Sequence, residues 1–87
     1  MHAVVVRVKI DDAEGAATRL RDEVVPRVSQ SPGFVAGYWT RKDDTGLSMI
    51  VFESEDAATA AEGRVRANMP EGVTLESTEV REVAASA

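Results

Sequence analysis

The stretch FVAGYWTRKDDTGLSMIVFE, Phe34–Glu53, reads as two strands joined by a polar turn. The first arm, Phe34 to about Lys42, opens behind Ser31-Pro32-Gly33, a sequence that ends whatever precedes it. Asp43-Asp44-Thr45-Gly46 supplies the turn, and Gly46 is the residue there best able to take positive φ. The second arm, Leu47–Glu53, alternates Leu47, Met49 and Val51 on one face with Ser48, Ile50 and Phe52 on the other. Both sets are mostly apolar, the pattern of a strand covered on both sides.

Upstream, His2–Ile10 is a strand rich in β-branched residues. One face carries Val4, Val6, Val8 and Ile10, the other Ala3, Val5, Arg7 and Lys9. Asp11 or Asp12 then caps a helix whose apolar stripe is Ala13, Ala16, Ala17, Leu20, Val24 and Val28. Pro26 cannot donate to the carbonyl of Asp22, so the last turn is expected to kink or loosen. Downstream, Ser54 caps a second helix with the stripe Ala57, Ala60, Ala61, Val65 and Met69, stopped by Pro70 and Gly72. Val73 to about Val83 forms a last strand. Its alternation is poor, with Val73, Leu75, Ser77 and Glu79 set against Thr74, Glu76, Thr78, Val80 and Glu82, as befits a sheet edge.

The order strand, helix, strand, strand, helix, strand is that of an α+β, ferredoxin-like βαββαβ domain over residues 1–83, with 84–87 a fraying tail. Right-handed crossovers and short connections suit a four-stranded antiparallel sheet in order 4-1-3-2, with both helices on one face. The first and third strands are central and expected to run parallel to each other. The helix-free face then carries Ala3, Val5 and one side of the 49–52 stretch, a patch that monomers seldom leave wet. A second copy, packed sheet to sheet as a dimeric α/β barrel, would cover it.

Bulk properties narrow the classes of function. At 87 residues the chain buries only about 60% of its unfolded surface, and small scaffolds usually need an added staple. It has no cysteine, which removes disulfides and thiolate sites and fits a cytoplasmic location. The net charge is −5 with no basic patch, so nucleic acid is not an expected partner. No apolar run approaches the roughly 20 residues of a membrane span, and a membrane partner is not expected. No serine has a histidine–carboxylate set around it in the pattern, no glycine-rich phosphate loop is present, and one histidine does not make a zinc site.

Ser31-Pro32-Gly33-Phe34 followed by Gly37 and Trp39, together with Phe52-Glu53-Ser54 and Ala57, resembles the dimeric α+β barrel superfamily. The nearest branch is the antibiotic biosynthesis monooxygenase-like proteins, and the likeness runs over nearly the whole chain. It implies a homodimer with one cavity per subunit. It also implies, for some members, oxidation of polycyclic aromatic substrates by molecular oxygen with no cofactor; others bind haem or isomerise. Members of that branch often carry a histidine one turn after the helix alanine, where this chain has Ala61.

Few residues can carry chemistry. His2, the single histidine, can act as a base near neutral pH, although a second residue is normally a loose one. Tyr38 and Trp39 are adjacent on a strand and point to opposite faces, and either can stack on a flat ligand while donating a hydrogen bond. These three are the catalytic candidates. Tyr38, Trp39, Phe52 and Arg41 are the candidates for a substrate pocket. Asn68 can orient a carbonyl or simply cap the second helix. The expected function is cofactor-independent oxidation of a flat aromatic molecule by a homodimer. The alternatives are a ligand-binding or stress-response protein on the same scaffold, and a purely structural dimerisation module.

Overall fold

The computed structural model describes residues 1–87. Its elements are β1 (His2–Ile10), α1 (Ala13–Arg19), a π-helical turn (Leu20–Val24), α2 (Val25–Ser29), β2 (Phe34–Lys42), β3 (Thr45–Phe52), α3 (Glu55–Ala67) and β4 (Val73–Glu82). The sheet order is β2-β3-β1-β4, the expected order counted from the other edge. All three neighbouring pairs are antiparallel, β1 with β3 included. The expectation of a parallel β1–β3 pair is therefore corrected. Each helical crossover skips one strand, so the parallel relationships are β1 with β2 and β3 with β4, which are not neighbours.

The caps and breaks follow from the residues that make them. Asp12 caps α1 by accepting from the Gly15 backbone N–H at 3.2 Å, and Ser54 caps α3 by accepting from Ala57 at 3.1 Å. The π-helical turn lies immediately before Val25 and Pro26. Proline has no N–H to close the preceding turn, and the ladder widens there instead of breaking. The hairpin is tighter than the sequence suggests, because only Asp43 and Asp44 stand between β2 and β3. The positive φ belongs to Asp43, at 55°, not to Gly46. Aspartate tolerates that region by bonding locally. Gly46 lies inside β3, where a Cβ would come 2.8 Å from Val8 Cγ2.

Two one-residue slips shape the edges. In β4, Leu75 pairs with Val8 but Ser77 with Arg7, which leaves Glu76 as the extra residue. Leu75 and Val80 consequently both reach the core, although strict alternation would separate them. In β2, Phe34 pairs with Phe52 and Ala36 with Val51, which leaves Val35 unpaired.

The core lies between sheet and helices and is made by Val4, Val6, Ile50, Phe52, Ala58 and Ala61. Phe34 meets Phe52 edge to face at 6.2 Å and 75°, worth about 0.5–1.5 kcal/mol beyond burial. Gly33, at φ 79°, sits where any Cβ would approach Ala57 Cβ to 2.9 Å. The start of β2 and the start of α3 thus fit together through a glycine and an alanine. Only ten of the 87 residues are buried. The accessible surface is 5668 Å² for 9.3 kDa, against about 5,000 Å² for a typical folded monomer of that mass.

On the helix-free face Ala3 and Val5 are already hidden, at 3% and 9% exposure, between taller neighbours on β3 and β4. The exposed apolar patch is shifted toward β2 and β3, where Tyr38, Met49 and Leu47 are 68%, 48% and 42% exposed. No helix is long and apolar enough to cross a membrane.

Candidate functional site

α3 packs on β1, β3 and β4, whereas the first helical segment meets the sheet mainly through α2 against β2. The side chains that α1 turns toward the sheet are small: Ala13, Ala16 and Ala17. Small side chains facing a sheet across a loosened helix leave space, and here they leave a cavity of about 650 Å³. That volume lies within the range of small-molecule sites. Its sheet wall carries Val4, Val6, Ile50, Phe52 and Trp39, and Leu20, Val28 and Val65 close it from the helices.

The cavity sorts the expected site residues. Trp39, Phe52 and Arg41 line it. Tyr38 does not: it is the next residue along β2 and stands on the opposite face, opposite Met49. His2 does not line it either. It is the first residue of β1, paired with Phe52 and Glu82, and is therefore better held than a chain end usually is. Its Nε2 lies 3.4 Å from Glu55 Oε2, while its Nδ1 is buried without a partner. Trp39 lies over Gly37, where an added Cβ would meet the ring at 2.8 Å, so the Gly37–Trp39 pair sets the position of the indole.

Polar groups in the lining are few. Ser48 faces Trp39 across the β2–β3 ladder. Asn68 is the C-cap of α3; its Nδ2 donates to the Arg64 carbonyl at 3.0 Å, which leaves its Oδ1 and second N–H unused by that bond. Arg27 and Arg64 also line the cavity, and sequence reasoning missed both. A signal for them exists: Arg27 follows Val24 by three residues and Arg64 follows Ala61 by three, so each borders its helix's apolar stripe. Ala61, where the resembling branch often has histidine, is buried and also lines the cavity. No histidine, cysteine, tyrosine or carboxylate lines it, and no group of three or more His, Cys, Asp or Glu is placed to hold a metal ion.

The sequence matches no family model and no curated protein sequence. The fold does have counterparts among solved structures. This chain shares its ferredoxin-like α+β fold with them. One is SnoaB, a cofactor-independent oxygenase from Streptomyces nogalater, in a mutant form. The match has a TM-score of 0.66 and 13% identity over 98% of this chain and 94% of that one. Another is the heme-degrader MhuD from Mycobacterium tuberculosis, with two hemes bound in its active site. There the TM-score is 0.54, with 21% identity over 97% of this chain and 98% of that one. At these identities the likeness is one of fold.

Proposed function

We propose that this chain is a homodimeric protein of the monooxygenase-like type, in which the cavity under the helices holds a flat aromatic molecule during its oxidation by molecular oxygen. The observation that carries the reading is the apolar cavity of about 650 Å³ with Trp39 on its wall. An aromatic ligand stacks on such a ring and is shielded from water by the valines and leucine around it.

The chemistry fits a ligand that is itself acidic, such as an anthrone. Its methylene gives a proton to solvent at the cavity mouth, since the lining has no carboxylate or histidine to take it. The carbanion joins oxygen through a new C–O bond. The protonated hydroperoxide then loses water, and the methylene has become a carbonyl: one CH₂ and one O₂ give one C=O and one H₂O. Trp39, Ser48 and Asn68 contribute orientation and hydrogen-bond donors for the enolate oxygen. Haem is less well suited to the same cavity, because the lining offers iron no histidine, cysteine or tyrosine and only the weak thioether of Met69.

The open face of the sheet supports the dimer. Tyr38, Met49 and Leu47 form an apolar patch beside the buried Ala3 and Val5, and a second copy is self-complementary to it. The same missing base favours a second reading, a binding protein that holds such ligands without turnover. An oxygen electrode separates the two. Anthrone added to the protein should consume oxygen faster than in buffer and yield anthraquinone, and W39F should slow it. Binding of anthrone without added oxygen uptake selects the binding protein.

A further inference from the structure

Fifteen of the 87 residues are acidic, yet none of the 24 that line the cavity is. Three of the 24 are arginines, Arg27, Arg41 and Arg64. In a chain of net charge −5 this is a local reversal of sign. The four ion pairs of the protein use His2, Arg19, Arg66 and Arg81, so none of the cavity arginines is neutralised by one. The contrast within α3 is informative. Arg64 and Arg66 both lie in the last turn, where cations suit the helix dipole. Arg66 is engaged by Glu62 at 3.8 Å and by Thr78 Oγ1 at 2.8 Å, whereas Arg64 is left free.

Topology groups two of the three. β2 runs parallel to β1, and α3 climbs back in the same direction after β3 descends. Arg41, near the end of β2, and Arg64, near the end of α3, therefore sit at one end of the cavity, with Asn68 a turn beyond. Arg27, on α2, lies toward the other end. A guanidinium at the rim of an apolar chamber offers forked donors to a carboxylate or phenolate, and low-dielectric walls strengthen the attraction.

We infer that the cavity selects ligands bearing an anionic group, a carboxylate or an ionised phenol, on an apolar ring system, with the anion held at the Arg41–Arg64 end. This deepens the proposed function and rests on its reading of the cavity as a ligand site. The acidic exterior gives such a ligand no general attraction, so the selectivity belongs to these arginines.

Trp39 is the only tryptophan, so its fluorescence reports on the cavity alone. The test titrates the protein with anthraquinone-2-carboxylate and with 2-(hydroxymethyl)anthraquinone, which share rings and differ in charge. The carboxylate should bind about tenfold more tightly to the natural protein. In R41Q/R64Q that ratio should fall to near one, chiefly through loss of affinity for the carboxylate. Both arginines are exposed, so the variant should keep the native circular dichroism. Equal affinity of the two compounds for the natural protein, or a preference that survives in R41Q/R64Q, overturns the inference and leaves the cavity reading standing. Binding of neither compound overturns both.

Discussion

Tyr38 and Met49 are cross-strand partners in the β2–β3 ladder, and both are left largely exposed, at 68% and 48%. An aromatic opposite a methionine is the kind of pair that central positions of an interface use. Leu47 follows on the same face. A Y38K/M49K protein should keep its fold, since neither side chain enters the core, and should lose self-association. The cost should be about 2–4 kcal/mol, a shift of more than tenfold in the dimer dissociation constant. Sedimentation velocity at micromolar concentration checks it. The natural protein should run at twice the 9.3 kDa chain mass and the variant at one.

Trp39 depends on Gly37 for its place. In G37A the new Cβ would stand 2.8 Å from the indole Cη2, so the ring must swing aside. The far end of a side chain can move, so stability should change by less than about 1 kcal/mol. Ligand affinity should drop about tenfold, with a red shift in Trp39 emission. Urea melts and fluorescence titration separate the two effects.

Ala61 lines the cavity, whose lining holds three arginines but no group able to take a proton near neutral pH. In the natural protein the pH dependence of anthrone oxidation should therefore follow the ionisation of anthrone. A61H adds a base that is neutral, and so able to take a proton, above its ordinary value of about 6.5. The rate should then rise across that value and level off below the range where anthrone ionises, a gain of about tenfold or more at neutral pH. A pH–rate profile of both proteins reads this directly.

Stability should track the contacts that join the hairpin to α3. Phe52 is fully buried against Phe34, and F52A should cost about 3–5 kcal/mol. G33A combines positive φ with a 2.9 Å clash on Ala57 and should cost about 1–3 kcal/mol. S54A removes only the cap of α3 and should cost about 1 kcal/mol. Chemical denaturation ranks the three.

The element order was legible because each period was long enough to read, and the two stretches that carry the family resemblance, 31–34 and 52–57, lie against each other in the fold. The bulges were not. Glu76 and Val35 each interrupt a two-residue period, and nothing local distinguishes an inserted residue from poor alternation. For the same reason the sequence showed that Tyr38 and Trp39 part company but not which one enters the cavity. That choice is set by the register of Tyr38 on Met49. The antiparallel β1–β3 pairing follows from the crossovers once each is seen to skip a strand. The cavity itself arises from how far a helix of alanines stands from the sheet, a distance that no single residue encodes.

The proposed function divides two roles between the faces of the sheet, with ligand under the helices and a second copy on the open side. Amide and indole chemical-shift mapping of the isotope-labelled protein with anthraquinone-2-carboxylate tests that division most directly. Shifts should appear at the Trp39 indole and at Ile50, Phe52 and Val65, with Tyr38, Leu47 and Met49 unmoved. Shifts gathered on Tyr38, Leu47 and Met49, with the Trp39 indole silent, would contradict it.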